Sequence, residues 1–147
     1  MNQAGPPVDL AVSVGYRVKQ ASSALHAAME AVLRPLGMNI TQYSCLELLA
    51  QRPGLSVAEL ARGAFVTRQS MHVLLQALER DGSVVRPPVA PVGRALPAEL
   101  TALGRKRLAE ASAAVRGVED RMRSGLDEAE AAQLAALLDR CVEGLQG

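Results

Sequence analysis

Tryptophan is absent from this sequence, and its 147 residues include only one phenylalanine and two tyrosines. A core here has to be assembled from leucine, valine, alanine and methionine. Alanine and leucine are the best helix formers, so the shortage of aromatics favours helices packed on helices. Cysteine is also scarce. Cys45 and Cys141 lie far apart, in neither a CxxC nor a metal-ligand spacing. That argues against a disulfide-built fold and a Cys/His metal site, and no cofactor is expected. No apolar run approaches the ~18 residues of a membrane span. The first residues lack a basic stretch followed by an apolar one, so no signal peptide is expected and the cytoplasm is the expected location. There is no P-loop, no GxSxG and no HExxH motif. His26 and His72, the only histidines, fall on different expected elements. Enzymatic activity is therefore not expected.

What is present is a hydrophobic share of 49% and a net charge of +1. The first can fill a core and excludes overall disorder. The charge is unevenly spread. Residues 52–100 hold six arginines against four acids, whereas the segments before and after are neutral or slightly acidic. A small basic excess in the middle permits a local contact with a polyanion without demanding it.

Periodicity organises the chain. Leu10, Val14, Val18, Ala21, Leu25, Ala28 and Val32 recur at steps of three and four, predicting a helix from about 8 to 34 that Pro35 and Gly37 end. At ~40 Å it is too long for a core of this size to cover, which suggests contact with a second subunit, the alternative being an ordinary long surface helix. Thr41 is the expected N-cap of a short helix reaching about Gln51. Pro53-Gly54 break the chain, and Ser56-x-x-Glu59 is a capping box that opens a helix to about Gly63. Thr67 caps the next, whose buried face is Met71, Leu74, Leu75 and Leu78, with Gly82 as its left-handed terminator. The period then changes. Residues 83–86 and 96–100 read as two short strands around a Pro- and Gly-punctuated loop, forming a wing. Thr101 caps a long helix, Ser124-Gly125 end it, and Asp127 with Glu130 opens the last. Its apolar face is Leu134, Leu137, Leu138, Cys141, Val142 and Leu145.

Four pieces stand in order along this plan: Gln42-Tyr43-x-x-Leu46-x-x-Leu49; Leu55-Ser56-x-x-Glu59-Leu60-Ala61; Arg68-Gln69-Ser70-Met71 leading to Ala77-Leu78-Glu79-Arg80-Asp81-Gly82; and Gly93-Arg94-Ala95 before Leu100-Thr101-x-x-Gly104. Each is weak alone. Together, over about residues 10–145, they resemble the MarR family of transcription regulators. The resemblance implies a mainly α (α+β) fold, a winged helix-turn-helix with a small β-hairpin wing and long terminal dimerisation helices. It implies one domain over 1–147, with dimerisation helices at 8–36 and 102–146 and the DNA-binding lobe at 40–100. It also implies a homodimer on a pseudo-palindromic operator in double-stranded DNA, most often as a ligand-responsive repressor.

The DNA-facing residues follow from the helix itself. If Met71, Leu74, Leu75 and Leu78 face inward, then Gln69, His72, Val73 and Gln76 face outward. Glutamine can pair bidentately with adenine, and Val73 can lie on a thymine methyl. Thr67, Arg68 and Ser70 sit at the helix start, where phosphate or base edges are met. Relatives often carry a basic residue where this chain has Val73. Arg94 is the expected wing arginine, although Val92-Gly93 stands where the family usually has an aspartate two residues ahead of it. Arg86 at the wing base is a candidate phosphate contact. Arg105-Lys106-Arg107 reads as a solvated helix face.

The resemblance further implies a small anionic or phenolic effector. Tyr16, Arg17, His26 and Tyr43 are candidates, since a polar tip on an apolar wall suits an aromatic acid. Tyr43 as a core packing residue is an equal reading. Two rival functions remain open at this point. One is a dimer that has lost DNA binding and regulates a protein partner. The other is a thiol-based redox sensor at Cys45, against which stands the expectation that Cys45 packs in the core; Cys141 is expected there too, or close to its dimer mate.

Overall fold

The computed structural model describes residues 4–86 and 98–147. Its elements are α1 (Val14–Leu33), a 3-10 turn (Arg34–Leu36), α2 (Ile40–Gln51), α3 (Val57–Gly63), α4 (Arg68–Arg80), β1 (Val84–Val85), β2 (Glu99–Leu100), α5 (Ala102–Arg123) and α6 (Glu128–Gln146). The strands pair antiparallel, Val84 with Leu100 and Val85 with Glu99. No helix among the described residues is long and apolar enough to cross a membrane.

Helix starts follow side-chain capping. Ser13, Asn39, Ser56, Thr67, Thr101 and Asp127 each accept the amide three residues on. Two starts differ from the sequence expectation. The first helix opens at Val14 rather than near residue 8, because Ser13 caps it and Asp9 accepts the Ala11 amide in a local turn. It is 20 residues long, so about 30 Å at 1.5 Å per residue. The second is capped by Asn39, not Thr41. Asn39 and Gln42 form a reciprocal capping box, at 2.8 and 2.9 Å.

Helix ends use one device three times. Gly37, Phe65 and Gly82 all have positive φ (70°, 58° and 85°). At each, the next residue's amide reaches back five positions: Met38 to Leu33, Val66 to Ala61 and Ser83 to Leu78. This is the Schellman termination, in which one left-handed residue satisfies the last helical carbonyls.

The core lies between α1, α2, α3, α4, the strand pair and the first half of α5. Leu33, Cys45, Leu46, Leu60, Met71, Leu75, Leu78 and Ala111 are buried within it. Glu47 ties α2 to α5 by accepting a hydrogen bond from Ser112 (2.9 Å), and is steadied within α2 by Gln51 (2.6 Å). The far half of the molecule is different. α6 buries no residue, and Leu134, Leu137, Leu138, Val142 and Leu145 all lie open, as do Val14 and Val18 of α1.

The tightest joint is where α5 meets the end of α4. The Ser83 carbonyl accepts from the Thr101 amide (3.0 Å) and hydroxyl (3.1 Å). Arg107 donates to Asp81 (2.9 Å) and to the Ser83 hydroxyl (2.6 Å). Arg107 is therefore a clamp rather than part of a solvated face, whereas Arg105 and Lys106 are exposed. A Cβ at Gly104 would lie 2.0 Å from the Ser83 oxygen, so only glycine lets the helix approach this closely.

Candidate nucleic-acid interface

α3 and α4 make a helix-turn-helix. α4 is strongly two-sided. Met71, Leu75 and Leu78 are buried and Leu74 is half-buried. Arg68, Gln69, His72, Val73 and Gln76 are all exposed. Spacings of three and four put Gln69, His72, Val73 and Gln76 on one ridge. Thr67 and Ser70 cap the start. The Thr67 hydroxyl accepts the Ser70 amide (3.0 Å) and donates to the Ser70 oxygen (2.8 Å). Ser70 thus keeps its own hydroxyl proton for an outside acceptor. Between Glu59 and Glu79 the chain has no acid, and carries Arg62, Arg68 and His72.

Arg86 leaves β1 half-buried. Its Nη2 is enclosed and has no hydrogen-bond partner among the described residues. Its charge lies near enough to Cys45 to act on that thiol. A phosphate would meet only the outer edge of this guanidinium. Arg94 and the loop around it lie outside the described residues.

Cys45 is fully buried on α2. Burial pushes its thiol up to about 12, against the smaller opposing effect of Arg86. A thiol so placed is neither a nucleophile nor a peroxide target at neutral pH. Cys141 is exposed in the protomer, not packed in its core.

The four effector candidates are dispersed. Tyr16, Arg17 and His26 are exposed on α1. Arg17 is folded back onto the Ala11 carbonyl, and His26 faces Glu30 at 3.2 Å. Tyr43 is half-buried on α2. Burial and the neighbouring Glu47 push its phenol up to about 12. A separate cleft of about 290 Å³ runs between α1 and α5, lined by Ala21, Leu25, Ala28, Val118, Arg121 and Met122. Sequence reasoning missed it. Its walls come from the apolar stripe of one helix and the late turns of another, 90 residues apart in the chain.

The order of helices, the capped helix-turn-helix and the strand pair after it can be set beside known proteins. A sequence model of the MarR family matches residues 36–95. The HTH-type transcriptional repressor Rv2887 of Mycobacterium tuberculosis is 39% identical over 127 residues, 86% of this chain and 91% of that protein. This chain belongs to the MarR family. Among solved MarR structures, that of Rv2887 with salicylic acid is 37% identical. It covers 96% of this chain and 99% of its own, with a TM-score of 0.71. The structure of Rv2887 with DNA is 35% identical over 88% of this chain and 98% of its own, also at 0.71. The MarR fold expected from the sequence is the fold observed, with six α-helices and a two-stranded sheet among the described residues.

Proposed function

We propose that this chain is a cytoplasmic, homodimeric transcriptional repressor that binds a pseudo-palindromic operator in double-stranded DNA and responds to a small anionic or phenolic ligand. It regulates and does not catalyse. The observation that carries the reading is α4, an amphipathic helix whose hidden face is Met71, Leu75 and Leu78 and whose open face carries no acid from Arg68 to Gln76. The repressor Rv2887, similar over most of both chains, has been solved with DNA and with salicylic acid.

In this reading the start of α4 enters the major groove. The free amides of Arg68 and Gln69, the Arg68 guanidinium and the Ser70 hydroxyl take phosphate oxygens, while Thr67 holds the turn in shape. Gln69, His72 and Gln76 meet base edges, and Val73 lies against a thymine methyl. Arg86 adds a phosphate contact through its outer edge, and Arg94 reaches from the wing into the minor groove. The two α4 helices of a dimer would stand ~34–36 Å apart, one turn of the duplex.

The dimer is supported by the open apolar faces of α6 and the start of α1, which a single chain leaves in water. Residues 8–36 and 102–146 carry that contact, and 40–100 form the DNA-binding lobe. For the effector, the cleft between α1 and α5 offers an apolar wall with one guanidinium, Arg121. That pairing suits an aromatic carboxylate. Tyr16, Arg17, His26 and Tyr43 stand outside this cleft. They serve an effector only if the second subunit completes a site around them.

The test is binding to duplexes enriched from a random-sequence pool, read by fluorescence anisotropy from low to moderate salt. The expected result is a selected palindrome whose affinity falls steeply with salt, because phosphate neutralisation releases counterions. A pool that yields no enriched sequence, or an affinity indifferent to salt, overturns the reading. It would then favour a dimer acting on a protein partner.

A further inference from the structure

The same helix termination closes at Gly37, Phe65 and Gly82, and only Phe65 carries a side chain there. A left-handed backbone is free for glycine and costly for any residue with a Cβ, most of all a bulky one. Phe65 also has no packing reason to be aromatic, because 94% of it is open to solvent. The single phenylalanine of the chain thus occupies a position where glycine would relieve the backbone and a polar residue would relieve the surface. It sits in the turn of the helix-turn-helix, two residues before the Thr67 cap. Arg62 and Arg68, both exposed, lie three residues to either side, and no acid lies between Glu59 and Glu79.

We propose that Phe65 is a DNA-contact residue, an apolar plug that the turn presents to carbon surface of the duplex at the mouth of the major groove. The inference rests on the regulatory reading above and deepens it. The flanking cations select a polyanion as occupant. The turn is continuous with the start of α4, so whatever α4 enters, Phe65 reaches its rim. The carbon it covers belongs to thymine C5-methyl groups or to the faces of deoxyribose, the apolar patches a duplex offers there. The contact neutralises no phosphate. It adds affinity without adding to the salt dependence.

The experiment compares the wild-type protein with Phe65→Gly and Phe65→Asn, the latter because asparagine tolerates the left-handed region. Thermal melting and anisotropy on the selected duplex are read together. Both variants should melt at or above the wild type, Phe65→Gly by about 2–5 °C. Both should bind roughly tenfold more weakly per half-site, as expected from exposing an aromatic side chain again. The slope of log affinity against log salt should stay as in the wild type. A uracil-for-thymine duplex separates the two sources. If the loss disappears on uracil DNA, the partner is the methyl group; if it persists, the partner is deoxyribose. Stable variants that bind as tightly as the wild type overturn the proposal, as does a loss of binding that tracks a loss of folding. Failure of the wild type to select any duplex would instead bring down the regulatory reading itself.

Discussion

Replacing Gly104 with alanine should unlock the joint between α5 and the end of α4. The added methyl would stand 2.0 Å from the Ser83 oxygen and 2.9 Å from its carbonyl carbon. Ordinary carbon–oxygen contacts are ~3.3 Å or more, so the helix start must retreat by over 1 Å. Retreat of that size breaks the two Thr101 bonds at this joint, from its amide to the Ser83 carbonyl at 3.0 Å and from its hydroxyl, whose single proton is shared between the Gly82 and Ser83 carbonyls. Each is worth about 1 kcal/mol, and overpacking strain adds about 1–3 kcal/mol. Against this stands the helix propensity of alanine, about 1 kcal/mol better than glycine. The net expectation is a loss of about 2–4 kcal/mol, or roughly 5–15 °C in melting temperature for a chain of this size.

The control lies in the same helix. Gly117 has open space where its Cβ would be. Gly117→Ala should keep the propensity gain, about 0.5–1 kcal/mol, and melt slightly higher than the wild type. One substitution at two places in one helix is thus expected to change sign. Melting of both variants by circular dichroism decides it. A Gly104→Ala protein as stable as Gly117→Ala would refute the claim that close backbone approach, rather than helix flexibility, requires glycine at 104.

Other expectations can be checked in parallel. In a Cys141→Ser background, Cys45 should resist maleimide and mild peroxide at pH 8 until the protein is unfolded, because its thiol stays protonated to about pH 12; rapid labelling of native protein would revive the redox-sensor reading. Burial opposes ionisation of Asp81, but hydrogen bonds from Ser83 and Arg107 outweigh it and hold its pKa below the ordinary value. That stabilisation is present above the unfolded pKa of about 3.9 and is lost as pH falls through the lower folded value, so Asp81→Asn should flatten the acid limb of the stability curve. Gln76→Ala should change preference at particular base pairs of the selected duplex with the salt slope intact; an unaltered preference removes Gln76 from the base readers. Leu138→Glu on the open face of α6 should give a monomer by sedimentation and weaken operator binding together, whereas a dimer of undiminished affinity would place the subunit contact elsewhere.

Local chemistry was legible in the sequence wherever a side chain bonds its own neighbourhood. The Ser56–Glu59 box, the Thr67 and Thr101 caps and the Gly82 terminator follow from spacing alone, and the structure has them. The outward set on α4 follows from its leucines. What spacing cannot carry is competition between nearby caps. Asn39 and Thr41 are both competent, and Asn39 prevails because Gln42 can answer its amide. Long-range partners were equally hidden. Nothing around Arg107 says that Asp81, 26 residues earlier, will hold it. Phe65 was overlooked because a terminator position is sought by its glycine, and here the glycine is missing.

The motif Leu100-Thr101-x-x-Gly104 gains a physical meaning from this joint. Leu100 is buried in the core, Thr101 caps α5 by accepting the Gly104 amide while it donates to the Ser83 carbonyl, and Gly104 admits the approach. Asp81 and Arg107 close it from the side. The end of α4 and the start of α5 are therefore one rigid piece. α5 is 22 residues long, and the cleft residues Val118, Arg121 and Met122 lie in its last turns, roughly 24–30 Å from its start. If the proposed effector sits between α1 and α5, it would act on the far end of a lever whose near end is joined to α4. It can shift α4 only by binding one arrangement of the dimer better than the other. Loosening the joint, as Gly104→Ala does, should uncouple the two ends, so that a ligand still binds while its effect on DNA affinity shrinks. A variant that binds both ligand and DNA yet keeps the full response would show that the signal reaches α4 by another route.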